Sequence, residues 1–315
     1  MVIKSYLDNK GSQHPKFKYN LPGKQWTENF VKRNKHLLTK RHCQNIKRKR
    51  AEKTDEEIEA YFENLKKTIE NIQPEFILNY DERNLSDDPG SKKCIFARGT
   101  KYPEMDINFI KSAISIMFAV TAVGTLMPLY VVYKSDRIYD QWVIGGPPGT
   151  IYNRTKSGWF DGPTFQDWFS KVIIPWARSS PEPKIIIGDN LLSHLNVEVI
   201  RACQRYNIKF VFLPPNATYI TQPLDVSFFH PLKVTWRKIL REIKLKHPKE
   251  NCVEKAKFPG MLARLLKDIK SNEKTNLRSG FRATGIYPLN PDEVLPDAGF
   301  KKEFQAKLIP PFSAS

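Results

Sequence analysis

The chain has 315 residues, of which 40% are hydrophobic and 27% are charged. This composition is typical of a folded protein and excludes wholesale disorder. Lys and Arg number 51 against 33 Asp and Glu, which gives a formal net charge of +18. Such an excess favours a polyanionic partner, most often nucleic acid, and a solvated basic surface is the alternative. The four cysteines form no CxxC pair, so neither a zinc ribbon nor a disulfide framework is indicated.

The first segment, residues 1–53, is a small basic unit with fifteen Lys or Arg and only three Asp or Glu. Trp26, Phe30 and Val31 follow Pro22 at helical spacing, which predicts a helix. The run TKRHCQNIKRKR that follows is basic enough to contact a phosphate backbone, and its last four residues resemble a nuclear localisation signal. A solvated charged tail is the alternative interpretation.

Residues 54–75 are predicted to form a connector helix that packs on the rest of the protein. Thr54 and Glu57 have the spacing of a capping box, and Pro74 ends the helical pattern. One apolar stripe runs along this helix, formed by Ile58, Tyr61, Phe62, Leu65, Ile69 and Ile72.

The body of the protein, residues 76–290, begins with a predicted strand and a predicted hairpin. The strand FILNYDE (76–82) ends in acidic residues. Residues 112–133 are uncharged over a length that would suit a membrane span. Gly124 and Thr125 interrupt this stretch between two runs rich in β-branched residues, which favours a buried β-hairpin over a membrane helix.

Alternating helices and strands complete the body. A helix is expected from Thr164 to about Ala177, a central parallel strand in KIIIGDN, a crossover helix at 197–207 and a strand at 208–215. A long helix begins near Asp225, and Pro231 marks a kink or a restart in it. This order predicts an α/β fold with a mixed sheet and helices on both faces.

Three acids stand at the joints of this predicted sheet. Asp81 and Asp189 follow strands, and Asp225 begins the helix after the last strand. Each acid alone has an ordinary explanation, as a helix cap, a turn residue or part of an exposed pair. Together they would repel one another at one edge of the sheet, and a divalent metal ion is the usual remedy.

Four segments carry a family resemblance: NYDE, GDNLLSHL, LPPNATYITQPLDVSFFHPLK and GFRATGIYPLNPDEVL. They resemble the DDE superfamily endonuclease domain of pogo-like transposases, the group of Tigger, jerky and centromere protein B relatives. The resemblance covers roughly residues 20–297. It implies an RNase H-like fold in which Asp81, Asp189 and Asp225 are the catalytic residues and hold two Mg²⁺ or Mn²⁺ ions for in-line phosphodiester displacement. It also implies supporting roles beside the triad for Glu82, Asn190, His194 and Gln222.

The N-terminal segment PGKQWTENFVKRN resembles the second helix-turn-helix unit of the same family. The usual first unit has no counterpart in the printed sequence, and residues 291–315 are expected to be a C-terminal tail. DNA is the expected partner, the nucleus the expected location and a homo-oligomer an open alternative, whereas no membrane association is expected. The expected phosphate-contacting residues are Lys32, Arg33, Lys40, Arg41, Lys47, Arg48, Lys49 and Arg50.

Arg83 departs from the family pattern, in which a small hydroxyl residue usually follows Asp-Glu. If the first strand continues past Asp81, Arg83 shares its face and competes with a metal ion for its carboxylate. If the strand has ended, Arg83 is available for a DNA phosphate. Two functions therefore remain open: a metal-dependent DNA endonuclease, and a nuclear DNA-binding protein whose RNase H-like domain is a catalytically silent scaffold.

Overall fold

The computed structural model describes residues 2–36, 55–87, 113–189, 196–215, 217–246 and 253–294. The chain divides into two compact units, Met1–Ala51 and Glu52–Ser315. The first unit contains α1 (Val2–Asn9) and α2 (Lys24–Arg33), and α2 confirms the helix predicted after Pro22. Its aromatic residues pack together, because the Trp26 ring lies 5.1 Å from that of Phe30 and 5.2 Å from that of Phe17.

The second unit is built on one mixed sheet. Its strands are β1 (Ile77–Ser86), β2 (Ala113–Thr121), β3 (Tyr130–Lys134), β4 (Ile151–Thr155), β5 (Lys184–Gly188) and β6 (Ile208–Phe212). They lie in the order β4-β3-β2-β1-β5-β6. The pairs β1–β2 and β2–β3 are antiparallel, whereas β3–β4, β1–β5 and β5–β6 are parallel.

Helices cover both faces of the sheet. The structure has α3 (Asp55–Ile69), α4 (Gly162–Trp168), α5 (Ile174–Arg178), α6 (Val197–Arg205), α7 (Thr218–Thr221), α8 (Phe229–Lys246) and α9 (Phe258–Ala283). The core on one face joins the sheet to α3, α8 and α9. The core on the other face joins it to α4, α5 and α6. This arrangement confirms the predicted α/β class, a mixed sheet with helices on both faces.

Within the uncharged stretch, residues 113–133 contain the antiparallel pair β2–β3, as predicted. Phe118 in β2 is fully buried and contacts the rings of Phe228 and Phe229 at 5.8 and 5.4 Å between centroids. The hydrophobicity of this stretch therefore comes from a strand that is covered on both faces. Within the residues that the structure describes, no helix has the length and apolar character needed to cross a membrane.

Two predicted strand ends were wrong, each for a physical reason. β1 does not end at residue 82 but continues to Ser86, because it pairs with β2 as far as the Ser86–Ala113 position. β6 ends at Phe212, before Pro214 and Pro215, which cannot donate to a neighbouring strand.

The helix expected near Asp225 starts as a π-helical turn, Leu224–Phe228, and continues as α8 from Phe229. The change from π-helical to α-helical geometry comes two residues before Pro231, whose ring disfavours a regular α-helical turn before it. The π-helical turn and α8 follow one another without a gap, so the chain does not restart a separate helix at Pro231. A second π-helical turn, Phe169–Ile173, lies between α4 and α5, so the predicted helix at 164–177 is continuous but not uniformly α-helical.

One buried amide link ties the centre of the sheet to the helical layer. The side chains of Asn79 and Gln222 are 0% and 1% exposed, and Asn79 Nδ2 donates to Gln222 Oε1. Asn79 Nδ2 also donates to the carbonyl oxygen of Ile187 at 2.9 Å, and Gln222 Nε2 donates to that of Tyr80 at 3.2 Å. The link therefore fixes β1, β5 and the segment before the π-helical turn relative to one another.

Replacing Asn79 by Ala should lower the free energy of unfolding by about 2 kcal/mol or more, because buried Gln222 Oε1 and the Ile187 carbonyl each lose a donor. Asn84→Ala is the matched control in the same strand, since Asn84 is partly exposed and accepts one hydrogen bond from Ser115 Oγ at 2.6 Å. We expect the control to lose about 1 kcal/mol. Urea unfolding followed by circular dichroism measures both losses, and equal losses would contradict the role given to Asn79.

Candidate active site

The three predicted catalytic acids come from three segments that meet at the amide link. Asp81 lies inside β1, Asp189 directly follows Gly188 at the end of β5, and Asp225 lies in the π-helical turn. β1 and β5 are in register at Asn79 and Ile187. Two residues further along both strands, Asp81 and Asp189 are level with each other. Asp81 thus lies just beyond the last residues that pair β1 with β5, although β1 itself continues.

A close contact between β1 and β5 fixes the backbone at Asp189. The Tyr80 ring lies against Gly188, where a Cβ would be only 2.3 Å from Tyr80 Cε1. Since real Cβ contacts are never so short, only glycine leaves room for this ring. The Tyr80 hydroxyl also lies 3.5 Å from the backbone carbonyl oxygen of Asp189. The contact between Gly188 and Tyr80 therefore fixes the position of the backbone at the end of β5.

The π-helical turn that carries Asp225 is held by α9. A Cβ at Gly280 would lie 2.5 Å from both the Pro223 carbonyl oxygen and Ser227 Oγ. Ser227 Oγ in turn donates to the carbonyl oxygen of Asn276 at 2.6 Å. Gly280 is the first residue of the GFRATGIYPLNP segment. The close approach of α9 to the π-helical turn is a physical reason for glycine at this position.

The electrostatic environment of Asp81 joins the three acids into one site. Burial, followed by the charge of Asp225, raises the pKa of Asp81 to about 8, and the charge of Asp189 acts in the same direction. The positive charge of Arg83 opposes this rise in pKa. Negative charge thus accumulates in a poorly solvated place, which is the condition that a bound cation relieves.

Arg83 lies among these acids. β1 continues past Asp81, so the alternation of side chains puts Arg83 on the same face as Asp81. Its Nη1 atom lies 3.3 Å from Asp225 Oδ1, and its guanidinium carbon lies 5.2 Å from the centre of the Phe229 ring. Of the two alternatives for Arg83, the structure therefore has the one in which the strand persists, but the carboxylate it pairs with belongs to Asp225.

The donor chemistry of the site suits a divalent metal ion, because carboxylate oxygens are the ligands that Mg²⁺ and Mn²⁺ prefer. The spacing of these carboxylates, in contrast, does not form a metal site. Across the described parts of the chain, no three His, Cys, Asp or Glu side chains are grouped closely enough to hold an ion. The acids thus have the composition of a metal site, while in this conformation Asp225 is engaged by Arg83.

The other predicted site residues have different placements. Gln222 is buried in the amide link, where it supports the backbone beside Asp81. Glu82 lies on the opposite face of β1 from Asp81, because side chains alternate along a strand. Its side chain is therefore directed away from that of Asp81, and its supporting role beside the triad stays a prediction. Burial raises its pKa, and a hydrogen bond to Ser115 opposes this rise. Asn190 and His194 lie outside the described residues.

The predicted DNA-contacting residues are only partly within the described structure. Lys32 and Arg33 are exposed in the last turn of α2. The remaining six lie outside the described residues: Lys40, Arg41, Lys47, Arg48, Lys49 and Arg50.

Three residues that shape the site were not predicted from the sequence pattern: Asn79, Gly188 and Gly280. Asn79 carried a signal, because it is a polar residue inside an apolar strand and lies on the same face as Asp81, two positions away. The two glycines carried none, since the close contact that requires each of them comes from a residue distant in sequence.

Solved structures of the Mos1 transposase are similar to this chain at low identity. The Mos1 mariner paired-end complex with Mn has a TM-score of 0.45 at 12% identity, over 89% of this chain and 78% of that one. The paired-end complex with Mg has the same TM-score and identity, over 86% and 77%. The catalytic domain of Mos1 mariner transposase has a TM-score of 0.36 at 10% identity, over 76% and 97%.

Comparisons of sequence give one curated relative and one family. The MFS-type transporter clz9 of Cochliobolus lunatus is 24% identical over 185 residues, 58% of this chain and 20% of that protein. The chain thus spans about a fifth of the length of this relative. The family model of DDE superfamily endonucleases matches residues 111–274, a range that includes Asp189 and Asp225. Since this range is more than half of the chain, the protein belongs to the DDE superfamily endonuclease family.

Proposed function

We propose that this protein is a transposase-derived, DNA-binding protein whose RNase H-like domain cleaves or joins phosphodiester bonds with the help of a divalent metal ion. The observation that carries the proposal is the convergence of Asp81, Asp189 and Asp225. These acids come from three distant segments, and the charges of Asp189 and Asp225 both act on half-buried Asp81. Membership of the DDE superfamily endonuclease family supports this assignment.

In this proposal Asp81, Asp189 and Asp225 hold Mg²⁺ or Mn²⁺, two ions in the active state. When bound, such ions activate an attacking oxygen and stabilise the leaving oxygen of an in-line displacement. The contribution of the protein itself is placement. The amide link of Asn79 and Gln222 holds the three backbone segments, and the contact between Tyr80 and Gly188 fixes the end of β5.

Helix α8 supports DNA as the partner. It carries six Lys or Arg and a single acid, Glu242, and it begins directly after the turn that holds Asp225. Trp236 Nε1 donates to the carbonyl oxygen of Ser86 at 2.7 Å, so α8 is fixed at the end of β1. Arg237 and Lys238 are exposed on it. A helix with this charge that leads away from the acids suits the phosphate backbone of a bound duplex.

The finer features of the proposal follow the sequence resemblance. We propose a pogo-like subfamily, with a helix-turn-helix unit near the N-terminus in which exposed Lys32 and Arg33 contact phosphates. The basic run at 47–50 supports import into the nucleus. A homo-oligomer is compatible with a family that acts on DNA ends.

One observation favours a second function, a DNA-binding protein with a catalytically silent scaffold. Arg83 already pairs with Asp225, and the described acids are not grouped as a metal site. In this alternative the charge of Arg83 permanently replaces that of a metal ion.

Nicking of supercoiled plasmid in the presence of Mg²⁺ or Mn²⁺ separates the two functions. We expect the unmodified protein to nick, and Asp189→Asn to fall to the protein-free background, because the substitution removes an anionic metal ligand. Asp136→Asn, at an exposed acid of the same domain, is the control and should retain activity. Equal activity in the protein and Asp189→Asn, or none in either, would favour the silent scaffold.

Neutralising α8 tests the role of this helix in DNA binding separately. We expect the triple change of Arg237, Lys238 and Arg241 to Gln to weaken duplex binding in fluorescence anisotropy. The slope of log K against log[salt] should also become shallower by about 0.9 for each phosphate that the protein no longer neutralises. The control is the same change at exposed Lys267, Lys270 and Lys274 of α9, which removes the same charge. Equal weakening in the two triple variants would show that net charge, and not α8, governs binding.

A further inference from the structure

Arg83 is held at the carboxylate cluster by two contacts on the same helical segment. Its guanidinium is 3.3 Å from Asp225 Oδ1 and also lies over the ring of Phe229, four residues further along the chain. The side chains of Arg83 and Asp225 are each 29% exposed. The pair is therefore partly shielded from solvent, and its attraction is stronger than that of a fully exposed surface pair.

The backbones that carry this pair are fixed independently of it. Arg83 lies in β1, and the backbone of β1 is paired with β2 at this position. The turn that carries Asp225 is held by the close approach of Gly280 and by the hydrogen bond between Ser227 and Asn276. Arg83 can therefore leave Asp225 by rotation of its own side chain, without movement of the strand.

We infer that Arg83 is an internal cation that competes with a divalent metal ion for Asp225, so that metal binding requires Arg83 to move away. This inference rests on the proposed metal-dependent function. The inference explains two observations that otherwise conflict. The charges of Asp189 and Asp225 act on Asp81, yet the described acids are not grouped closely enough to form a metal site.

A phosphodiester is the chemical group best suited to take the guanidinium from Asp225. Arginine binds phosphate oxygens in a planar, two-pronged geometry and is only weakly hydrated. Arg83 is partly exposed, so a DNA backbone that reaches the acids can contact it. Metal binding and DNA binding should consequently favour each other, since transfer of Arg83 to a phosphate leaves Asp225 to the metal ion.

The test is the affinity for Mn²⁺, measured from the electron paramagnetic resonance signal of free Mn²⁺ in the absence of DNA. The variants are Arg83→Ser, which removes the charge, and Arg83→Lys, which keeps it. Arg154→Ser removes an exposed arginine from β4 and is the matched control. The double variant Arg83→Ser/Asp225→Asn reports whether any gain in affinity belongs to Asp225. Circular dichroism confirms that each variant is folded.

We expect Arg83→Ser to bind Mn²⁺ roughly tenfold more tightly than the unmodified protein, whereas Arg83→Lys and Arg154→Ser stay within about twofold of it. The gain should disappear in the double variant. An unchanged affinity of Arg83→Ser, a gain that survives Asp225→Asn, or an equal gain in Arg83→Lys would overturn the inference. Absence of Mn²⁺ binding in Arg83→Ser would overturn it too, because removal of the competitor has to reveal the site.

A duplex oligonucleotide of mixed sequence tests the coupling. Its addition should increase the Mn²⁺ affinity of the unmodified protein more than that of Arg83→Ser, and an equal increase in both would refute the transfer of Arg83 to phosphate. Tighter Mn²⁺ binding by Arg83→Ser without any plasmid nicking would support the competition while refuting the proposed endonuclease. The two ideas therefore fail in distinguishable ways.

Discussion

The hydrogen bonds between Asn79, Gln222 and the Ile187 carbonyl are the constraint on which the candidate site depends. They join residues that are 108 and 143 positions apart in the chain. Each partner precedes one of the acids, since Asp81 and Asp189 follow two residues after Asn79 and Ile187, and Asp225 follows three residues after Gln222. Because an unsatisfied buried amide is costly, the alternative arrangements of these three segments are strongly disfavoured. A link between neutral amides can thus hold charged groups near one another without adding charge to the site.

The positive charge of Arg83 partly balances the negative charge of the acids at the site. Burial and two neighbouring acids disfavour the ionised form of Asp81, which is the environment that a metal ion would stabilise. Arg83 supplies a positive charge to the same place, and the Phe229 ring helps to hold it. A side chain can supply only one charge and cannot act as a Lewis acid, so the pair with Asp225 relieves repulsion without providing metal chemistry. In the proposed function, metal binding at the site depends on the displacement of Arg83.

Much of the fold could be predicted from the sequence, because the relevant signals are local. The stripe from Ile58 to Ile69, the hairpin around Gly124 and the continuous apolar strand at 184–188 were all found where expected. The end of β1 was misplaced because pairing with β2, and not local composition, extends the strand to Ser86. That extension also decides the geometry of the site, since it puts Arg83 on the face of Asp81. The partner of Arg83 could not be predicted, because Asp225 is 142 residues away in the chain.

The central claim is that Asp81, Asp189 and Asp225 form one metal site once Arg83 has moved. Anomalous diffraction from crystals of the protein with a DNA duplex and Mn²⁺ tests it most directly. We expect anomalous peaks within coordination distance of carboxylate oxygens from all three acids, with the guanidinium of Arg83 on a DNA phosphate. The opposite result is a crystal with saturating Mn²⁺ and bound DNA in which the three carboxylates hold no ion and Arg83 is still paired with Asp225. That result would contradict a shared metal site.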